Sequence, residues 1–434
     1  MKTRFVTSLF LYFIAGTWAM GCSSSSKSPA ANGPSGGQTS TGGASSDSGS
    51  DEDSGPQDTT LRAYDSDDPN LTYVGRIDFT NPKAPAFSAP GVYITVRFKG
   101  VAVNVKVKSV SSSSNYFDLV VDGVTANSVK IQTSGNTDYI QGAKDLPYQE
   151  HTVTLVKRTE ANPGPTAFLG FQFAGTILPA PSAKPHKIEV IGDSISAGSG
   201  NMAGDGSANC QNSTAYSDAN LSYGPILARQ LNADYHVTAV SGIGLIRNYN
   251  CGNPNTMPVV YDRVYFEQSS NADAGTNVWD TADYEPEAIL IGLGTNDFSP
   301  DDCSKPALNE TVDPVNFALW QATLKSFILR LRSAYGSVNG GQGPDIFLLA
   351  SPMLNDKWPN DTYTSDTSHR QAMLAVANDV NGNTTGIGKV HVFSFDTDQK
   401  NALANVGCGT HPLASDHAKI AADILPSVKS AMGW

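Results

Sequence analysis

The sequence predicts an α/β fold, a parallel sheet in three layers, preceded by an antiparallel β-domain. The first observation is a change of hydrophobic period near Pro179. Residues 61–180 carry short runs with a period of two, and residues 181–434 alternate strand-like runs with helical stretches. The second observation is that polar, glycine-containing motifs follow several of the later runs. In open α/β sheets such motifs meet at the carboxyl ends of the strands, where ligands bind.

Length, hydrophobic content and net charge limit which kinds of protein and partner fit this chain. The chain has 434 residues, 39% of them hydrophobic, which allows a sizeable core and predicts two or three domains. Its formal net charge of −12 argues against nucleic acid as a partner. A neutral polymer such as a polysaccharide is compatible with that charge.

The first 22 residues have the pattern of an export signal. Lys2 and Arg4 precede an apolar run that is too short and wrongly flanked for a stable membrane span. The segment ends in Ala-Met-Gly-Cys and resembles a bacterial lipoprotein signal, in which Cys22 becomes the lipidated first residue. Ala19 departs from the usual leucine, so cleavage with Cys22 unmodified is the alternative. We expect an exported protein, lipid-anchored at the cell surface or outer membrane, or secreted.

Residues 23–60 form a predicted linker. They are rich in Ser, Gly, Pro and Asp and contain almost no large apolar residue. Such a segment cannot bury enough apolar surface to offset the entropy lost on ordering. We expect a disordered tether that lets the folded part reach outward from a membrane surface.

Residues 61–180 predict an antiparallel β-sandwich. Turn signals such as Asp122-Gly123 separate short runs of alternating apolar and polar residues, and none of the runs has a helical period. The runs are 73–79, 92–98, 101–110, 117–121, 129–132, 152–157 and 168–173.

Residues 181–434 predict a parallel sheet with helices on both faces, because strand-like and helical stretches alternate. The strand-like runs are 188–191, 235–240, 288–293, 346–350 and 390–395. The helical stretches include 224–232, 315–335, 368–378 and 418–432.

The cysteines predict disulfides rather than a metal site. Setting Cys22 aside leaves Cys210, Cys251, Cys303 and Cys408, an even number in an exported protein. Two disulfides are expected, and three connectivities are open. No cluster has zinc-ligand spacing, so we expect neither a metal nor another cofactor.

Ser194 is the candidate nucleophile. The run 188–191 favours a buried strand, and Gly192 permits a tight turn that places Ser194 at the first turn of a following helix. The N–H groups at a helix N-terminus can stabilise a developing negative charge. Taken alone, Gly-Asp-Ser is also ordinary turn chemistry.

Three later motifs favour the catalytic interpretation of Ser194 over an ordinary turn, because each follows a predicted strand and lies on the same rim of the sheet. They contain Gly242, Asn296 and His411. Acyl transfer needs a nucleophile, a base within hydrogen-bond reach and donors aimed at the oxyanion. We assign Ser194 and His411 as the catalytic pair. The oxyanion hole is predicted from the N–H groups of Ser194 and Gly242 and the side-chain amide of Asn296.

These motifs match the four blocks of the SGNH hydrolases, and more narrowly the chain resembles carbohydrate esterase family 2. The blocks are Gly192-Asp193-Ser194, Gly242, Gly294-Thr295-Asn296-Asp297 and His411-Pro412. The narrower resemblance includes Gly75-Arg76, 96–100, 120–123, 151–160 and 241–249. It implies a β-sheet jelly-roll domain ahead of a flavodoxin-like SGNH-hydrolase domain. It also implies removal of acetyl groups from plant cell-wall polysaccharides.

The chain departs from the family pattern beside the histidine. SGNH enzymes commonly carry an Asp three residues before it, and this family often has one two residues before, but Cys408 and Gly409 stand there. Some family members have a Ser-His dyad in which main-chain carbonyls hold the imidazole, and we expect that arrangement here. A more distant carboxylate, Asp396 or Asp416, is the alternative, and loss of activity is another.

Two residues are predicted to bind substrate. Trp358 lies in the loop after the fourth strand of the second domain and could stack on a sugar face. Trp279, before the third strand, is a weaker candidate of the same kind, and domain packing explains either tryptophan as well. Asp297, next to Asn296, is the second predicted substrate contact.

The leading hypothesis is a serine esterase that deacetylates acetylxylan or acetylated glucomannan through an acetyl-enzyme on Ser194. One alternative is an SGNH lipase or esterase for another substrate. The other is an inactive carbohydrate-binding surface lipoprotein. The expected partner is an acetylated polysaccharide or oligosaccharide, with no nucleic acid and with membrane contact only through the lipid anchor. We expect a monomer.

Overall fold

The computed structural model describes residues 57–434 with short gaps. The gaps are 111–112, 134, 136–137, 204–209, 211–212, 252–253, 267–276, 300–305, 358–362, 384–387, 397–398, 401–402 and 405. Cys22, Cys303 and Trp358 therefore lie outside the described residues. No described helix is both long and apolar enough to cross a bilayer.

The first domain is an antiparallel network of nine strands. The strands are β1 (Leu61–Asp65), β2 (Thr72–Val74), β3 (Ala86–Phe87), β4 (Tyr93–Ser109), β5 (Tyr116–Val121), β6 (Val129–Gln132), β7 (Ile140–Gln141), β8 (Gln149–Lys157) and β9 (Thr166–Leu178). They pair in the order β1-β9-β4-β8-β5-β6, with β2 and β7 on β4 and β3 on β9. One short 3-10 turn, Thr125–Asn127, was not anticipated by the strand pattern.

Strand β4 is one continuous strand where the sequence predicts two runs. The alternation breaks at Gly100, where a register shift against β9 marks a β-bulge, and the pairing continues on both sides. The two backbones approach so closely there that a Cβ on Gly100 would lie 2.2 Å from the Ala174 carbonyl oxygen. A Cβ on Gly175 would lie 2.1 Å from the Lys99 oxygen. Glycine at both positions lets β4 bend without losing its ladder.

The second domain is a five-stranded parallel sheet. Its strands are β10 (His186–Gly192), β11 (Ala233–Ala239), β12 (Ala288–Gly292), β13 (Asp345–Leu349) and β14 (Val390–Phe393). They pair in the order β11-β10-β12-β13-β14. Both predicted architectures, an antiparallel domain followed by a parallel α/β domain, are confirmed.

Helices cover both faces of this sheet. They are α1 (Ser194–Ala197), α2 (Ser213–Tyr216), α3 (Tyr223–Gln230), α4 (Met257–Val260), α5 (Thr295–Phe298), α6 (Pro314–Ala334), α7 (Val338–Gly341), α8 (Ser365–Asn383) and α9 (Ala414–Met432). Short 3-10 turns are Ala219–Leu221, Tyr249–Cys251, Thr281–Asp283 and Cys408–Thr410. Apolar residues of α3 and α9 pack on one sheet face, and those of α6 and α8 on the other.

The strand order places a crevice beside β10. The chain leaves β10 for β11 on one side and later returns to β12 on the other side. At such a reversal the loops that follow the two central strands diverge, and a ligand fits between them. Ser194 lies just beyond β10, on α1, and Asn296 lies just beyond β12, on α5.

A buried arginine joins the two domains beneath the sheet. Arg76, from the first domain, places Nη2 3.1 Å from Glu189 Oε1, on β10, and both side chains are 1% exposed. Thr238 and Tyr261 donate their hydroxyls to the same carboxylate, at 2.6 and 2.8 Å. Because a buried carboxylate needs a paired charge and satisfied lone pairs, Glu189 is stable in the core only with Arg76 beside it.

Candidate active site

Ser194 lies at the start of α1, directly beyond the carboxyl end of β10. The side chain of Asp193 caps the helix by accepting from the Ile195 N–H at 3.0 Å. The helix ends after one turn at Gly198, which has the left-handed φ of 70°. Ser194 is 7% exposed at the rim of the sheet.

His411 faces Ser194 from the loop of residues 407–413, here named the histidine loop. Its Nε2 lies 2.7 Å from Ser194 Oγ, and its Nδ1 lies 2.6 Å from the carbonyl oxygen of Cys408. A carbonyl can only accept, so Nδ1 must carry the proton. Nε2 then presents its lone pair to the serine hydroxyl, as a general base requires.

The predicted orientation by a main-chain carbonyl agrees with this geometry, and the two alternative carboxylates have other partners. Asp416 is fully buried and accepts from the N–H groups of Leu413 and Ala404, both at 3.1 Å, at the start of α9. Asp396 accepts from the Gln399 N–H at 2.7 Å.

A disulfide holds the residue that orients His411. Of the connectivities left open by the sequence, the structure pairs Cys408 with Cys210, with Cα atoms 5.4 Å apart. Cys251 is disulfide-bonded as well. The Cys408 N–H also donates to the Gly200 carbonyl at 3.2 Å, so the histidine loop is fastened to the segment that follows α1.

Residues 240–249, here named the oxyanion loop, follow β11 along the same rim. The loop opens with a tight turn in which the Ile243 N–H donates to the Val240 carbonyl at 3.3 Å. Gly242, inside the turn, has a φ of 76°, a conformation that favours glycine. The Val240 N–H donates to the Gly192 carbonyl at 3.3 Å, which places the turn beside the end of β10.

Asn296 connects α5 to the oxyanion loop. Its Nδ2 donates to the Ile243 carbonyl at 2.8 Å, and the residue is 8% exposed. A side-chain amide carries two protons, so one N–H remains for a substrate oxygen. The contact with Ile243 orients the amide without using its second proton.

Asp297 is not placed to contact substrate, contrary to the sequence-based prediction. Its carboxylate is fully buried and accepts from the N–H groups of Leu245, Ile246 and Arg247, at 2.9–3.1 Å. Arg247 Nε donates to the Asp297 carbonyl at 2.6 Å. The residue holds the oxyanion loop instead of reaching a ligand.

Burial shifts the pKa of several groups around the site. Burial, together with the neighbouring charge of Asp297, raises the pKa of Asp193 to about 7 against opposing hydrogen bonds. Burial also raises the pKa of Asp297, against the N–H groups that stabilise its ionised form. Burial and repulsion from His411 lower the pKa of His417 to about 3, so that buried imidazole is neutral.

Of the two tryptophan candidates, Trp279 lies in the described part of the chain. Trp358 lies outside the described residues, and its predicted role in substrate binding stays a prediction. Trp279 is 8% exposed and packs edge-on against His236 and close to the Arg76 guanidinium, 5.3 Å from its ring centre. Trp279 therefore packs at the domain junction and offers no open face to a sugar.

One residue of the site was missed by sequence reasoning. Glu160, in the first domain, accepts from the Ser241 N–H at 3.1 Å, immediately before Gly242. The available signal was its position at the end of the run 151–160, which carries the family resemblance. The described part of the chain contains no group of three or more His, Cys, Asp or Glu that could hold a metal ion.

Two family models match the chain, one on each domain. The model described as Carbohydrate esterase 2 N-terminal matches residues 73–181, and the model described as GDSL-like Lipase/Acylhydrolase matches residues 188–424. The second match alone spans more than half of the chain. Its limits enclose Ser194, Asn296 and His411.

Curated relatives and solved structures agree with these matches. A cellulase/esterase, CelE, from Acetivibrio thermocellus is 31% identical over 85% of this chain. An acetylxylan esterase/glucomannan deacetylase from Cellvibrio japonicus is 32% identical over 56% of it. The matched regions span only 40% and 65% of those relatives.

Among solved structures, a family two carbohydrate esterase from Clostridium thermocellum, in complex with cellohexaose, is 30% identical with a TM-score of 0.68. The match covers 84% of this chain and 99% of that one. A carbohydrate esterase family 2 enzyme from Corynascus (Myceliophthora fergusii) is 31% identical with the same TM-score, over 84% of this chain and 100% of that one.

Proposed function

The chain belongs to carbohydrate esterase family 2, and from this premise we propose that it is a serine esterase that removes O-acetyl groups from plant cell-wall polysaccharides. The observation that carries the proposal is the 2.7 Å separation of Ser194 Oγ and His411 Nε2. The second imidazole nitrogen is held by the Cys408 carbonyl, so the tautomer suits a base that takes the serine proton.

In the proposed acylation step, Ser194 Oγ attacks the acetyl carbonyl carbon and its proton passes to His411 Nε2. The carbonyl oxygen becomes an oxyanion that the N–H groups of Ser194 and Gly242 and the free N–H of Asn296 stabilise. The bond from carbon to the sugar oxygen then breaks. That oxygen takes the proton from Nε2, and the deacetylated sugar leaves.

In the second half of the cycle, water attacks the acetyl-enzyme. His411 takes a proton from the water, and the same donors stabilise the second oxyanion. The intermediate collapses, acetate leaves, and Ser194 Oγ regains its proton from Nε2. Atoms and protons balance without a cofactor.

The proposed substrate is inferred from the relatives. The Cellvibrio relative acts, by its name, on acetylxylan and glucomannan, and the Clostridium structure holds a chain of six glucose units. We propose acetylated xylan and glucomannan as the substrates, with the β-1,4-linked sugar chain lying across the rim at Ser194. Trp358 remains the proposed stacking residue.

The proposed setting is outside the cell. Lipidation at Cys22 and the linker of residues 23–60 would hold a monomeric enzyme at the surface, where insoluble polysaccharide is accessible. Labelling of Cys22 by a fatty-acid analogue during growth, lost in Cys22→Ser, tests this anchor. An unlabelled wild-type protein would instead indicate plain cleavage.

The test of the function is acetate release from acetylxylan and acetylated glucomannan by the purified protein. Ser194→Ala and His411→Ala are each expected to abolish release, whereas Ser182→Ala, at an exposed serine before the amino end of β10, retains it. Aryl esters from acetate to octanoate distinguish a deacetylase from a lipase, because a lipase favours the longer chains. No release from any ester by wild-type protein contradicts the proposal and favours the carbohydrate-binding alternative.

A further inference from the structure

The first domain reaches the active site through four residues at the end of β8, here named the 157–160 segment. Lys157 is fully buried and donates from Nζ to the carbonyl oxygens of Thr159 and Glu160, at 2.6 and 2.8 Å. The Thr159 hydroxyl donates to the Asn115 side chain at 2.6 Å. A buried ammonium that binds two carbonyls fixes the path of this segment, because releasing either carbonyl would leave buried polar groups unpaired.

Glu160 extends from this segment to the oxyanion loop. Its Oε2 accepts the Ser241 N–H at 3.1 Å, and the residue is 9% exposed. Ser241 directly precedes Gly242, whose own N–H is a proposed oxyanion donor. On the other side of Gly242, its carbonyl accepts the Tyr249 N–H at 2.8 Å. The two backbone groups that flank the Gly242 N–H, the Ser241 N–H and the Gly242 carbonyl, are thus both hydrogen-bonded. The acceptor for the Ser241 N–H comes from the first domain.

The same segment supports the nucleophile. Arg158 places its guanidinium 3.1 Å from Asp118 and 3.4 Å from Asp218, all three buried. The Asp218 N–H donates to the carbonyl of Gly198, the residue that ends α1, at 3.0 Å. The 157–160 segment therefore contacts residues that hold both sides of the site. Arg158 binds Asp218, which is hydrogen-bonded to the end of α1, and Glu160 binds Ser241 beside Gly242.

We propose that Glu160 is a positioning residue for the esterase reaction, through which the first domain sets the direction of the Gly242 N–H toward the oxyanion. The inference rests on the proposed function. An oxyanion donor acts only within a narrow distance of the developing charge, and a displacement of about 1 Å can lower a rate by ~10²-fold. If the turn were held only by contacts with solvent, the Gly242 N–H would move over distances of this size. Glu160 removes this freedom by holding the turn on a buried carboxylate.

The test compares three substitutions at Glu160 with a control on β8, the strand that leads into the 157–160 segment. Glu160→Ala removes the acceptor, and Glu160→Asp withdraws it by one methylene without opening a large cavity. Glu160→Gln keeps a carbonyl oxygen in place. Glu150→Ala is the control, because Glu150 lies on β8 and its exposed side chain forms an ion pair with Arg97 at the surface. The readouts are kcat and KM on an aryl acetate, with the melting temperature of each variant.

We expect the Ala and Asp variants to lose ~10-fold or more in kcat with KM changed less than ~2-fold, since the contact acts on the transition state. Glu160→Gln should stay within ~3-fold of wild type, and Glu150→Ala should match it. Wild-type kcat in both the Ala and Asp variants would overturn the inference. So would a folded Glu160→Gln variant as slow as Glu160→Ala, because the acceptor oxygen would then have no role.

A second reaction separates this inference from the proposed function. If wild-type protein hydrolyses no acetate ester, the proposed function fails, and the comparison moves to covalent labelling of Ser194 by a fluorophosphonate. Its phosphoryl oxygen occupies the same hole when Oγ displaces fluoride. If wild type and Glu160→Gln are labelled faster than Glu160→Ala and Glu160→Asp, the result supports Glu160 as a positioning residue. Equal labelling rates in all four proteins overturn it.

Discussion

The oxyanion loop and the histidine loop complete the same site but are held by different contacts. Side-chain carboxylates and an amide bind the backbone of the oxyanion loop, from Asp297, Asn296 and Glu160. The histidine loop is held mainly by backbone hydrogen bonds and the disulfide at Cys408, and a single side-chain carboxylate, Asp416, binds the N–H of its last residue, Leu413. The difference follows from what each loop supplies. A loop that must offer one N–H has its other N–H groups bound by acceptors, whereas a loop that must offer a carbonyl needs only a fixed main chain.

The largest effect is expected at the donor itself. Asn296→Ala removes the side-chain N–H that we propose stabilises the oxyanion, and it should lower kcat by ~10²-fold, the usual cost of one such donor. KM should change little, because the contact strengthens only in the transition state. Steady-state kinetics on an aryl acetate measure both. An unchanged kcat would remove Asn296 from the oxyanion hole and leave only its contact with Ile243.

A smaller loss of rate, with a loss of stability, is expected when the carboxylate beneath the oxyanion loop is changed. Asp297→Ala removes the carboxylate that accepts the N–H groups of Leu245, Ile246 and Arg247. We expect kcat to fall by ~30-fold and the free energy of unfolding by about 3 kcal/mol, since buried donors are left unpaired. Denaturant titration and kinetics measure the two effects. Wild-type kcat with lower stability would mean that the loop keeps its geometry without Asp297.

The smallest effect is expected at the disulfide. Cys210→Ser breaks the bond to Cys408 but leaves the backbone contacts of the histidine loop, so kcat should fall only ~3-fold to 10-fold as the carbonyl that orients His411 gains freedom. The double variant Cys210→Ser/Cys408→Ser should lose the same amount, because a free thiol plays no part. A loss as large as that of Asn296→Ala would show that covalent bonding, rather than the main chain, orients the imidazole.

The sequence predicted the parallel sheet well because its strands are short, mostly apolar runs ended by glycine or polar motifs. Each of the five strands begins and ends within about two residues of its predicted run. Helix starts were less accurate: α8 begins at Ser365 and α9 at Ala414, several residues before the predicted stretches. Capping contacts determine where a helix begins, as at α9, where the Asp416 carboxylate accepts the Leu413 N–H. The hydrophobic period of the sequence does not indicate these contacts.

The candidate site was predictable where function depends on residue type in a motif. Ser194, Gly242, Asn296 and His411 belong to such motifs, and the structure brings Ser194 and His411 together. The contacts that hold the loops were not predictable. Glu160 meets Ser241 across 81 positions of sequence, and it binds a backbone N–H, which every residue except proline has. A sequence therefore carries no signature of the partner.

The burial of Arg76 against Glu189 restricts how such a gene can evolve by recombination. A hydrolase domain spliced to a new neighbour would carry an unpaired carboxylate in the middle of its central sheet, a defect that costs about 3–5 kcal/mol when one partner of a buried pair is lost. That amount is a large fraction of the stability of an ordinary domain. We expect viable recombinants to inherit the two domains as one cassette, with additional modules joined outside it.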